Sequence, residues 1–195
     1  GQFLSVISQR RTEVAVQAAQ RALTDGALGR LVLGEALVRW SRDQAYYDSA
    51  EWRGTRALDG GVMLNQAIHA IDLLTWLFGP VEQVAGVTAT RVRQMEAEDT
   101  AVASLRFTSG ALGSITATTA IPSGTPAEIN LFGESGLISL HDTEIVRWDV
   151  PGVPRPDVDG LAGSGSTNLV SIGKLGHQRQ WRDILDAYRN GTTPL

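Results

Sequence analysis

The chain contains no cysteine, which excludes disulfides, thiolate metal sites and cysteine nucleophiles. Lysine is almost missing as well: sixteen arginines and the single Lys174 make up its 17 basic residues. Basic residues are also outnumbered, 17 against 21 acidic, for a net charge of −4. That balance gives no support for a nucleic-acid or acidic-membrane partner. No apolar run is long enough to span a bilayer, and the opening residues lack the charged start and cleavage site of a signal peptide. A cytoplasmic location fits the missing cysteines. No Gly-x-Ser-x-Gly stands between a strand and a helix. Gly163-Ser164-Gly165-Ser166 falls in the patternless stretch from Pro151 to Thr167, which is expected to be mobile.

What is present is enough for one domain with a buried core: 195 residues, 43% hydrophobic and 19% charged. Gly1 to Val6 reads as a strand already under way, as if the chain began inside a longer one. Arg11 to Asp25 repeats alanines at helical spacing and stops at Gly26 and Gly29. Leu31 to Trp40 reads as a strand and Ser41 to Asp59 as a long loop. Val62 to Phe78 follows as one helix, closed by Gly79-Pro80. Short strands are expected at residues 84–93, 100–107, 112–120, 127–132, 136–140 and 144–148, with glycine turns between them. The turn from Gly133 to Gly136 joins two strands and is no phosphate loop. A last helix spans Gln178 to Arg189. The expected class is α+β, a largely antiparallel sheet with helices packed on it. Several strands carry Thr, Ala and Ser on both faces. Such a sheet meets either another subunit or helices on both sides.

The segment Val62 to Phe78 is apolar nearly all round, so it should be buried. Along an ideal helix Asn65, His69 and Asp72 fall within about 60° of one another. Polar groups buried together must be paired or must line a cavity. Asp72 is expected to belong to a hydrogen-bonded core network. His69, close to a polar, glycine-preceded start, is suited to exchanging a proton near neutral pH. No metal is expected, since His141 and His177 belong to distant elements. In the preceding loop, Tyr46, Tyr47, Trp52 and Arg53 have two readings. They stack on and hydrogen-bond a polyhydroxylated ring, or the rings cap the core while Arg53 pairs with a surface acid.

Asp59-Gly60-Gly61-Val62, Asn65, His69, Asp72 and Trp76-Leu77-Phe78-Gly79-Pro80 together resemble the second domain of the Gfo/Idh/MocA oxidoreductases. Three further stretches agree in order: Arg10-Arg11 up to Gly26-Ala27-Leu28-Gly29, Glu98-Asp99-Thr100 through Thr118, and His177 to Gly191. The resemblance implies helices on one face of the sheet. It also implies residues 1–25 as the end of a nucleotide-domain strand with its connecting helix, and residues 26–195 as the substrate-binding and oligomerisation domain. NAD or NADP would be bound mainly by a Rossmann domain absent from this chain, and hydride would pass to or from a hydroxyl carbon of a sugar, nucleotide sugar, cyclitol or diol. His69 would be the general acid/base and Asn65 would orient the substrate. Trp52, Arg53, Tyr46, Tyr47 and His177 would line the substrate, and the sheet would make a homo-oligomer.

Two positions depart from the family pattern: Asn65 stands where many members have Asp, and Val62 replaces the third glycine. The glycine-rich dinucleotide fingerprint and the Glu-Lys-Pro lysine are missing; Lys174, in Gly173-Lys174-Leu175, cannot be that lysine. The chain by itself is therefore expected to be inactive. The competing reading is a non-catalytic sugar-binding or oligomerisation module of the same fold.

Overall fold

The structure, a computed structural model, describes residues 3–142, 144–157 and 175–195. A short 3-10 helix at Gln9–Thr12 leads into helix α1, Val14–Thr24. Strand β1, Leu31–Arg39, is followed by the small helices α2, Gln44–Asp48, and α3, Gly61–Leu64, and by α4, Ile68–Phe78. Six strands come next: β2 Val81–Ala89, β3 Thr100–Phe107, β4 Leu112–Thr118, β5 Glu128–Gly133, β6 Leu137–His141 and β7 Glu144–Asp149. Helix α5, Leu175–Asn190, closes the chain.

All seven strands form one sheet in the order β2-β3-β4-β1-β5-β6-β7. Only β1 and β4 run parallel; every other neighbouring pair is antiparallel. Strand alternation sorts the side chains. Ala36, Val38, Ala101, Leu105, Ile115, Ala117, Ile129, Leu131, Ile138 and Leu140 are buried on one face, in a single core with α1 and α4. Helix α4 lies against β1 because Gly34 leaves room there: a Cβ on Gly34 would stand 2.8 Å from Leu74 Cδ1 and 2.9 Å from Phe78 Cζ.

Several expectations are corrected. Residues 3–8 form no strand; among the described residues they hydrogen-bond with no neighbouring strand, and a strand needs a ladder partner. The expected strand 84–93 begins and ends earlier, at Val81 and Ala89. The N–H groups of Arg91, Val92 and Arg93 are drawn off by the Asp99 carboxylate, which ends the ladder. The loop from Ser41 to Asp59 contains α2, capped by Asp43 Oδ1 accepting from the Tyr46 N–H at 2.8 Å. The single helix from Val62 is broken at Asn65-Gln66-Ala67. Among the described residues the packed helices share one face of the sheet, so the two-sided alternative fails. Lys174, Gly163 to Ser166 and most of the stretch expected to be mobile lie outside the described residues.

Candidate active site

Gly60 and Gly61 turn the chain into α3 with φ of 77° and 71°, a left-handed region open to glycine at little cost. At Gly61 a side chain would collide with the Glu98 carboxylate. That carboxylate accepts from the Met63 N–H at 3.1 Å, and the Glu98 carbonyl accepts from the Val62 N–H at 2.9 Å. The glycine pair therefore sets α3 against the start of β3. The chain then leaves α-helical pairing, with the Ala67 N–H donating to the Val62 carbonyl at 2.8 Å. This five-residue bond is of the π type, a local irregularity that recurs at functional sites.

The break separates the roles of the polar stripe. Asn65 Nδ2 donates to Asp59 Oδ1, while Asp59 Oδ2 accepts from the Gly54 N–H at 2.6 Å. Asp59 is buried and ties the aromatic loop to the helix break. Asp72 is half-buried and paired: Arg11 donates through Nε at 2.9 Å and Nη2 at 2.5 Å to its two oxygens. The Arg11 guanidinium also stands 5.6 Å from the Trp76 ring centre, which locks the 3-10 helix onto α4.

His69 is half-buried at the edge of a small cavity lined by Arg10, Trp40, Gln66, Leu73, Ile129 and Asp142 among others. Arg10 pairs with Asp142 at 3.6 Å. Burial lowers the His69 pKa below the ordinary histidine value, and the Arg10 charge lowers it further; Asp72 opposes this and His177 adds to it. The imidazole is thus held neutral at pH 7, ready to accept a proton. His177, on the first turn of α5, is brought within electrostatic reach of His69 and Glu13.

The aromatic loop divides its residues. Tyr47 is buried, its hydroxyl 2.7 Å from Thr119 Oγ1, so it anchors α2 to the end of β4. Tyr46, Trp52 and Arg53 stay at the surface of the site. The Arg53 guanidinium stands 4.1 Å from the Tyr46 ring centre and 4.5 Å from that of Trp52. Arg42 lies 5.2 Å from the Trp40 ring centre and 5.4 Å from that of Tyr46. Gln66 Nε2 reaches the Tyr46 hydroxyl at 3.5 Å. Among the described residues Arg53 pairs with no acid, contrary to the surface-pair alternative. Nor do three His, Asp or Glu side chains converge there as a metal site would require.

Residues 16–139 match the family model described as the GFO/IDH/MocA C-terminal domain. The chain belongs to this family. The dehydrogenase WlbA from Bordetella pertussis, solved in complex with NADH and UDP-GlcNAcA, is 36% identical with a TM-score of 0.81. The match covers 97% of this chain and 54% of that one. WlbA from Chromobacterium violaceum, in complex with the same two molecules, is 34% identical with a TM-score of 0.81, over 97% and 53%. A myo-inositol 2-dehydrogenase of Thermotoga maritima is 33% identical over 105 residues, 49% of this chain and 31% of its own length. The chain thus spans about half the length of the solved relatives, and less of the curated one. No helix among the described residues is long and apolar enough to cross a membrane. In this GFO/IDH/MocA domain, sequence reasoning missed Arg10, Asp59, Gln66, Trp40 and Asp142 as parts of the site. Arg10 and Asp59 were visible only as flanks of the motif. Trp40, Gln66 and Asp142 come from separate elements, joined by the fold alone.

Proposed function

We propose that the chain is the substrate side of an NAD-dependent dehydrogenase acting on a hydroxyl carbon of a sugar, with a nucleotide-linked hexose as the favoured class. The observation that carries the reading is His69: a half-buried imidazole, kept neutral by burial and Arg10, beside a helix break tied to an aromatic loop. The donor set of this chain suits the proton half of the reaction. The nicotinamide cofactor, when bound, supplies the hydride acceptor. As the carbinol carbon gives up hydride, its hydroxyl proton passes to an imidazole nitrogen of His69, leaving a carbonyl and an imidazolium. Asn65, its amide nitrogen committed to Asp59, retains a carbonyl oxygen to orient a substrate hydroxyl. The WlbA relatives, in complex with NADH and UDP-GlcNAcA, support NAD and a nucleotide sugar. The chain by itself is expected to bind neither NAD nor NADP tightly, for it has no glycine-rich fingerprint.

The test uses the full-length protein that carries this chain, assayed for NAD reduction with UDP-GlcNAcA and related nucleotide sugars. His69→Ala is expected to lower turnover roughly 10²–10⁴-fold with cofactor affinity nearly unchanged. Near-normal turnover in that variant would refute the role given to His69, whereas a parent that turns over none of these sugars would favour the non-catalytic module.

A further inference from the structure

Arg53 is held in an unusual way for a surface arginine. Its guanidinium carbon stands 4.1 Å from the Tyr46 ring centre and 4.5 Å from that of Trp52, and Nε is fixed by donation to Ser49 Oγ at 3.1 Å. Contact with two rings restrains the guanidinium, and both terminal nitrogens lack a carboxylate partner among the described residues. Trp52 is 41% exposed, so one wall of the clamp opens to solvent. In a chain of net charge −4, an arginine left without an acid keeps a local positive potential. The clamp is not remote from the site: Tyr46 meets Gln66 at the helix break, and Gly54, the residue after Arg53, donates to Asp59, which binds Asn65.

We infer that Arg53, restrained by Tyr46 and Trp52, is an oxyanion subsite that reads a carboxylate or phosphate of the substrate. A planar fork with terminal N–H donors that lack an acid partner matches two oxygens of such a group, and the two ring contacts with the Nε bond remove rotamer freedom that binding would otherwise have to freeze. The inference rests on the reading of the site as a sugar pocket, and it narrows the substrate from neutral polyols to anionic sugars.

The test is calorimetric binding to the full-length protein carrying this chain, loaded with NAD, using two probes. UDP-GlcNAcA carries a sugar carboxylate and a pyrophosphate; UDP-GlcNAc carries the pyrophosphate alone. Arg53→Met is expected to weaken binding of UDP-GlcNAcA by roughly ten- to a hundredfold. A loss confined to UDP-GlcNAcA assigns the carboxylate, and an equal loss for both probes assigns the pyrophosphate. Arg53→Lys keeps the charge but not the fork; it is expected to lose threefold or more, and it stands in should the Met variant fail to fold. The inference is overturned if the parent binds neither probe, or if the folded variants bind both within threefold of the parent. It can fall while His69→Ala still abolishes turnover, which would mean a neutral sugar in an otherwise correct site. Conversely, near-normal turnover in His69→Ala leaves the binding result standing.

Discussion

At the scale of single residues, His69 and its charged surroundings set the pH behaviour. Arg10 and His177 push its pKa down together with burial, while Asp72 pushes it up. Oxidation needs the neutral imidazole, so the rate should fall as pH drops through this lowered pKa, below where an ordinary histidine titrates. Asp72→Asn removes the one opposing charge and frees Arg11, so the acid limb should move to still lower pH. The same change breaks a largely shielded bidentate pair and is expected to cost about 1–2 kcal/mol of stability. Rate profiles and melting curves of the one variant check both effects. A limb that moves to higher pH would contradict the electrostatic account.

Asn65 makes a second residue-scale case, where the structure revises what its position suggests. By the family pattern alone, Asp in place of Asn65 is a benign replacement. Here, however, Asn65 donates to the Asp59 carboxylate, so Asn65→Asp brings two carboxylates together. One of them must take up a proton or the contact must open. Asn65→Asp is therefore expected to destabilise by about 1–2 kcal/mol at pH 7 and to recover part of that loss at mildly acid pH. Melts at the two pH values decide; equal stability at both would mean that the loop does not depend on Asp59. Asp59 itself was legible only as the residue before two glycines. Its role depends on a side-chain bond across the turn, which spacing along the chain does not encode.

At the scale of elements, what was legible depended on whether the interaction was local. Strand β3 was placed at residues 100–107 by its own alternation, and the glycine turns located the hairpins. The helix break at Asn65 is not legible, since Val62 to Phe78 holds neither glycine nor proline and nothing in its composition requires the π-type bond at Ala67. The end of β2 at Ala89 escapes the sequence for a related reason. Arg91, Val92 and Arg93 have the composition of a continuing strand, but Asp99, fully buried, takes their N–H groups. Burial alone would raise the Asp99 pKa; the three backbone donors and Thr100 outweigh it and hold it below the usual carboxylate value. A carboxylate with a depressed folded pKa adds stability that is complete above its unfolded value and is lost as pH falls through the folded one. Asp99→Ala is thus expected to cost about 2–3 kcal/mol at pH 7 and progressively less in acid. Denaturant titrations at pH 7 and below pH 4 test this, and a pH-independent cost would contradict it.

At the scale of the whole molecule, the uncovered face of the sheet poses the remaining question. Register aligns Val87, Val102, Thr116 and Leu37 in one row across β2, β3, β4 and β1. Leu112, Leu33, Phe132 and Leu137 form a second row, and the row between them carries Ser104, Ser114, Glu35, Asn130 and Ser139. No helix among the described residues covers these rows. Val87 is 73% exposed, Leu112 51% and Val102 47%, while β2 is exposed along its whole length. A face with two apolar rows on either side of a polar one is suited to a second copy of itself, because a twofold axis can set each row against the other. We therefore expect self-association through this face, with β2, β3 and β4 contributing most. Sedimentation of the protein should show a dimer or larger species. Val87→Lys with Val102→Lys places charge in the middle of one row and should yield monomers with unchanged secondary structure, because neither side chain helps to fill the core. A parent that sediments as a monomer at crystallographic concentrations, or a double variant that assembles like the parent, would mean that this face meets something else.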